Sequence, residues 1–541
     1  VKNPANNNPR LQKILDYISS SWSALTRSTA TCEGIADPKI TGRSVLYLPA
    51  TVPILPALLE LSNLGGIRVE HLPSIIRGPG EVKGDGVRPP GLLFLEHPYV
   101  VPGGRFNEMY GWDSYFIIRG LLRTGDAGVA REMVDNFLFE IEHYGAVLNA
   151  NRTYYLTRSQ PPFLSSMIIA VYEADKARGT ENRAWLAQAY RDTVQDYQMW
   201  TRDPHLAGAT ELSRYYDFGE GPAPEGFHDE VGYYRDVLAY LIRQNRNDPY
   251  LVEATSQASL PYPQYSQQLS AGHNLRGSDA KSRVRRHVGL SPEYYKADRS
   301  MRESGFDITF RFGPYGAETH HYAPVCLNSL LYKVETDMEQ MSEWLGDEAA
   351  ASEWHRRAGK RREIIQTLLW DGQRGMFFDY HFPTGKISSY EYASTFYPLW
   401  VGAATAEQAR AVVNNLPRFE YEGGLAMSTH KSGVQWDYPY GWAPIQLLAV
   451  EGLRRYGYNA EAGRISIKFL SMVLVNFERD ANIREKYNVV TDSSNIKLAE
   501  GYRDNIIGFG WTNAVFLELL NELPSDQVER VLAAPGSVVH Q

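Results

Sequence analysis

Cysteine is almost missing from this chain of 541 residues: Cys32 and Cys326 are its two, far apart in sequence. That excludes a disulfide framework and a CxxC redox or zinc site, and the expectation is two free thiols. There is no HExxH, no GxxxxGKS/T, no GxGxxG and no GxSxG, so zincin, P-loop, dinucleotide and serine-elbow chemistry have no address here. His320 and His321 are adjacent, a spacing that places two rings on one face of neither a helix nor a strand; no metal and no cofactor are expected. Long apolar runs are lacking too. The best candidate for a membrane span, Val45–Leu64, is broken by Pro49, Pro53 and Pro56. Basic clusters are as scarce. Lys281–Arg286 is the densest and reads as a solvated loop, which argues against a nucleic-acid partner. The start, Val1-Lys2-Asn3-Pro4, has neither an initiator Met nor a signal-peptide pattern, as in a processed or trimmed chain.

What is present is an acidic, aromatic-rich composition able to build a large core. Hydrophobic residues make up 43% and charged residues 22%, with a net charge of −8. Leu11, Ile14, Leu15, Ile18 and Trp22 predict a helix over about 10–24. Further amphipathic stretches lie at 127–143, 163–178, 182–200, 230–245, 325–345, 347–370, 405–414, 444–456, 460–477 and 511–521. Residues 45–100 are rich in proline and glycine and read as irregular, with Gly78–Gly91 a surface loop. Residues 1–100 are therefore expected to be an arm wrapped on a helical body of 101–541, not an independent domain. Long aromatic-rich segments at 144–162, 211–229, 300–316, 376–400, 419–443 and 481–510 join the helices, and the reactive-looking residues fall there. No exact repeat is visible.

The densest of these segments is Pro102-Gly103-Gly104-Arg105-Phe106-Asn107-Glu108-Met109-Tyr110-Gly111-Trp112-Asp113-Ser114-Tyr115. It sets aromatic rings beside carboxylates and an arginine where a loop feeds a buried helix. Aromatic faces suit the C–H faces of a sugar, and forked arginine and carboxylate groups suit its hydroxyls. This segment resembles the first signature of the α,α-trehalases. Gln435-Trp436-Asp437-Tyr438-Pro439-Tyr440-Gly441-Trp442-Ala443-Pro444 is similar to the second, and shorter matches run from about 95 to 515. The resemblance implies an all-α fold, an (α/α)6 barrel or helical toroid, and hydrolysis of trehalose to two glucoses with inversion.

Inversion requires a carboxylic acid and a carboxylate on opposite sides of the scissile bond. The resemblance assigns the acid to Asp307, in Glu303-Ser304-Gly305-Phe306-Asp307, where Phe306 replaces the family's tryptophan. Phe306 and Phe310 would desolvate this carboxyl and raise its pKa, whereas Arg302 or Arg311 would oppose the rise. It assigns the base to Glu485, in Glu485-Lys486-Tyr487-Asn488, where Asn488 replaces an aspartate and removes a possible supporting charge. Along the sugar the resemblance places Arg105, Phe106, Trp112, Asp113, Asn149, Arg158, Gln160, Glu225, Gly305, Gln435, Trp436, Trp442 and, by a loose alignment, Glu500. Trp436 and Trp442 read as stacking platforms or equally as core aromatics. Asn151-Arg152-Thr153 fits the N-glycosylation triplet but falls inside the expected groove, so it reads as coincidence. One departure concerns substrate: Ala223 stands where the family has a sugar-binding arginine, with Arg214 or an arginine of Lys281–Arg302 as the replacement. That keeps two rivals in view, a hydrolase of another α-glucoside such as a glucosyl polyol, and a non-catalytic trehalose sensor. The partners expected are sugar and water alone, on a monomer. A periplasmic or secreted location is expected, with the cytoplasm as alternative.

Overall fold

The computed structural model describes residues 8–36, 42–63, 66–82, 86–226, 230–244, 249–268, 286–496, 498 and 505–534. Among these, six helices form an inner ring: Gly111–Thr124, Leu164–Arg178, Val325–Leu345, Tyr397–Val401, Ala443–Arg455 and Gly510–Glu522. Each packs against the next, and the last packs against the first, so the ring closes. Outside them lie Ala127–Tyr144, Arg183–Trp200, Glu348–Leu368, Ala406–Asn414 and Asn459–Asp480. Pro9–Leu25 completes this outer layer, seated on Asn459–Asp480 and Gly510–Glu522. The helical toroid expected from the sequence is thus present. Inner helices are apolar on nearly all sides: Phe116, Ile117, Ile118 and Leu121 are essentially without exposure. Each such side chain contributes roughly 1.5–3 kcal/mol of burial.

The two ends of the ring differ. Inner helices pass to outer ones through short links, and these links hold glycines in the left-handed region, at Gly125, Gly179, Gly346, Gly402 and Gly457. A glycine there ends a helix abruptly without a Cβ penalty. Outer helices return to inner ones through the long segments, which therefore gather at the opposite end. Every inner helix starts at that end, so six helix N-termini, each carrying partial positive charge, face the mouth.

The arm is more regular than expected. Strand Ser44–Leu48 pairs in parallel with Ile67–His71 and with Leu92–Leu93, and helix Pro56–Asn63 makes the crossover. The prolines that argue against a membrane span sit in the turn and at the start of that helix. Nor is Gly78–Gly91 simply surface: Val87 is buried, and Tyr47 donates its hydroxyl hydrogen to Pro89 O (2.9 Å). Val45, Tyr47, Leu72 and Leu93 share one apolar cluster with Tyr144, Leu148 and Leu156, which fastens the arm to the ring.

A helix the periodicity missed, Pro292–Glu303, leads into the acid segment. Its buried face carries Asp298, Arg299, Arg302 and Glu303, charges buried as pairs, so no apolar stripe announces it. Ser291 and Pro292 at its start were readable: the Ser291 hydroxyl accepts from Tyr294 N. This helix packs with Glu230–Arg243 and strand His287–Leu290 in a second core of Tyr234, Leu238, Tyr294, Tyr295, Ile308 and Tyr315, beneath the acid segment.

Candidate active site

Gln160 and Asn151 shape the first signature. Gln160 Oε1 accepts from Trp112 N (3.0 Å), capping the inner helix, and Asn151 Oδ1 accepts from Met109 N (2.8 Å). Asn151 has no exposed surface, so its triplet offers no glycosylation site in the fold. Glu108 and Arg152 form a buried pair at 2.6 Å that belongs to the framework. Asp113, in the first turn of the helix, faces the mouth. Burial raises its carboxyl, and Glu485 and Asp307 both add to the rise. Asp113 therefore lies within electrostatic reach of two carboxyls from distant segments, Asp307 and Glu485.

Asp307 follows a bend that only glycine permits. Gly305 has φ +74°, and a Cβ there would stand 2.9 Å from Trp112 Cε2. Its part is to let the backbone lie on the indole, which the sugar-contact expectation for Gly305 did not foresee. Phe306 is buried against Trp112, Trp436 and Tyr392. Beyond Asp307 the segment is tied to the second signature. Gln435 Nε2 donates to Asp307 O, and Trp436 N donates to Ile308 O. Asp437 accepts from Thr309 Oγ1, Phe310 N and Ser432 Oγ. Burial pushes the Asp307 carboxyl up to about 7, against the pull of Arg302 and Arg158. Arg311 takes no part in that pull: it forks onto buried Asp379. Phe310 packs on Tyr240 and Tyr315.

Glu485 is fixed from both sides. Its N–H donates to Ile506 O (3.0 Å), and its carbonyl accepts from Trp511 Nε1 (3.3 Å). Lys486–Asn488 pairs antiparallel with Tyr440–Trp442, so the base segment and the second signature are one ribbon. The Lys486 ammonium, fully buried and over the Trp442 ring, lies 2.7 Å from Glu485 Oε2. Asn488 Oδ1 accepts from Val490 N and Thr491 N, a turn that an aspartate would make equally well.

A basic group lines the wall beside Asp307. Arg158 contacts Glu225 at 2.6 Å and Asp217 at 3.6 Å, and Arg302 contacts Asp298 at 3.1 Å and Glu225 at 3.5 Å. Burial would raise Glu225, but Arg158 and Arg302 hold it down at about 2. Ala223 is buried nearby, its N–H donating to Tyr234 OH, which in turn donates to Asp298. Two further guanidinium groups stand on this wall near Ala223: Arg299 Nη1 donates to Pro222 O (3.1 Å), and Arg302 reaches Glu225. Arg214 lies elsewhere, donating to Pro204 O and His320 O.

Several expected contacts are placed differently. Trp436 and Trp442 stack on each other at 3.8 Å and 4°, both buried, with Trp112 and Trp511 against them. They form a floor and not open platforms. Asn149 is buried and donates to Ser159 O (3.3 Å). Arg105 is exposed at the rim, over the half-buried Phe106 ring. Glu500 lies outside the described residues. Asp217, buried on Arg158 and Arg299, is the neighbour that motif matching missed. Gln435 Oε1, Glu225 Oε2 and Arg158 Nε carry no hydrogen-bond partner in their buried positions. Such groups are satisfied by a ligand rich in hydroxyls.

The trehalase family model matches residues 82–259 and 264–524. A probable trehalase of Eremothecium gossypii is 34% identical, over 94% of this chain and 72% of that protein. A cytosolic neutral trehalase of Neurospora crassa is 35% identical, over 95% of this chain and 73% of that protein. Among solved structures, neutral trehalase Nth1 from Saccharomyces cerevisiae superposes with a TM-score of 0.77 at 33% identity, covering 98% of this chain and 97% of that one.

Proposed function

The chain belongs to the trehalase family and hydrolyses α,α-trehalose to two glucose molecules, and from that premise we propose that Asp307 is its general acid and Glu485 its general base. Asp307 gives its proton to the bridging oxygen as the C1–O bond breaks. Glu485 takes a proton from a water whose oxygen forms the new bond to C1 from the opposite face. One glucose leaves as the α anomer and the attacked one appears as β. The observation that supports this pair is Asp113, whose buried carboxyl feels both partners. A pKa of about 7 suits Asp307 to donate near neutrality, and Lys486 supplies the ionised base with a counter-charge.

Arg158, Arg302 and Glu225 hold hydroxyls of the glucose on the acid's side, and Gln435 and Asp113 those near the reacting carbon. Arg302 takes over the task of the arginine missing at Ala223, so that departure needs no other substrate. Asp307→Asn and Glu485→Gln test the pair. Each removes roughly 10²–10⁴-fold of turnover while the fold persists. Near-normal glucose release from either variant, or an α anomer as the only first product by NMR, would refute the assignment. Relatives named cytosolic neutral trehalases favour a cytosolic location over the periplasmic expectation. Fractionation of the source cells, with activity read in each fraction, checks it.

A further inference from the structure

We propose that Glu293, His320 and His321 form a binding site for a divalent transition-metal ion of the zinc class, outside the sugar mouth. Sequence spacing alone argued against this histidine pair, because neither a helix nor a strand brings adjacent rings together. Here a short 3-10 turn, Thr319–His321, does so. The two rings lie 4.1 Å apart, tilted by 42°. His320 Nε2 is 2.8 Å from Glu293 Oε1, and His321 Nε2 is 3.3 Å from the same oxygen. All three donor atoms fall within 4.8 Å of one another. Tetrahedral zinc with ligands at ~2.0–2.1 Å separates its donors by ~3.3 Å, so small side-chain adjustments seat an ion among them. Two imidazoles and a carboxylate are a common donor set for such ions.

The surroundings fit. The Glu293 side chain is 40% exposed and that of His321 27%, so an ion reaches the site from solvent. His381 lies beside it, its ring 6.0 Å from that of His321. Thr384 Oγ1 engages His381 Nδ1 at 2.7 Å, which leaves Nε2 on the inner side, 3.9 Å from Glu318, as a fourth donor within reach. Two carboxylates, Glu293 and Glu318, face one cation, Arg214. The Arg214 guanidinium is committed to two backbone carbonyls and to the Tyr216 and Phe382 rings.

The position gives the ion a task. Glu293 opens the helix that leads to Asp307, and His320 and His321 close the segment that follows it. An ion here fastens both ends of the acid-bearing stretch. The test uses the full chain, stripped with a chelator and then titrated with zinc by calorimetry, with metal analysis after desalting and circular dichroism to verify folding. One equivalent of zinc and a rise in Tm reversed by chelator are expected. Glu293→Gln and His321→Ala each weaken binding at least as much as the roughly 10–100-fold that loss of an outer supporting partner costs. Cobalt(II) in place of zinc gives d–d bands that His321→Ala abolishes. No stoichiometric binding, or equal binding by the native protein and both variants, overturns the proposal.

Discussion

Removing two neighbouring charges should move the alkaline limb of kcat/KM in opposite directions. Asp307 donates only while protonated, so the alkaline limb begins at about 7 and falls about tenfold per pH unit above it. Arg302 is the foremost charge favouring the carboxylate, and Glu225 opposes it as the least of the named influences. A unit charge ~6–8 Å from a carboxyl, at an effective dielectric of ~20, is worth ~2–3 kcal/mol, or ~1.5–2 pKa units. Solvent in the mouth trims this to roughly one unit. Arg302→Met therefore shifts the limb up by about one unit, whereas Glu225→Gln shifts it down by roughly half a unit. Arg302→Lys keeps the charge and leaves the limb in place. The assay is glucose release at low trehalose across the pH range. Turnover falls in the variants because both residues also hold sugar, but the position of the limb is independent of its height. A limb that stays fixed in both, or moves the same way in both, means that the titrating group is not Asp307.

The same carboxyl has a thermodynamic signature. It titrates near 4 in an unfolded chain and at about 7 in the fold, so ionisation penalises the native state increasingly between those values and fully above about 7. Asp307→Asn escapes the penalty and is stabilised by up to ~4 kcal/mol above that pH; thermal melts show the advantage vanish below about 4. Gly305→Ala forces a methyl against Trp112 at positive φ and costs ~1–3 kcal/mol, with kcat falling as Asp307 is displaced; urea melts and turnover read both. Asn488→Asp keeps the turn acceptor, changes stability by less than ~0.5 kcal/mol and leaves turnover intact.

Helices with an apolar stripe were legible, and so was the helical toroid they build. What escaped has a common cause. Pro292–Glu303 buries ion pairs, and the β-α-β unit of the arm hides in proline-rich sequence, so neither presents the periodicity that marks an element. Within the proposed site, Asp307, Glu485 and Asp113 were singled out by motif, but their setting was not. That Arg302 and not Arg311 faces the acid depends on Asp379 capturing Arg311, a contact spanning 68 positions. That Trp436 and Trp442 cover each other depends on a ribbon formed with residues 486–488. Such facts are written in tertiary pairing and have no local signal.

Helix Pro9–Leu25 is completed by residues 468 to 524 positions further along the chain. Arg10 forks onto Glu478 and donates to Leu532 O and Ala534 O, and its helix lies on Asn459–Asp480 and Gly510–Glu522. At a ribosomal rate of ~5–20 residues per second, the amphipathic helix Pro9–Leu25 waits on the order of half a minute or more for its seat. During synthesis its apolar face must be sheltered by chaperones or by transient contacts until Asn459–Asp480 and Gly510–Glu522 have been made.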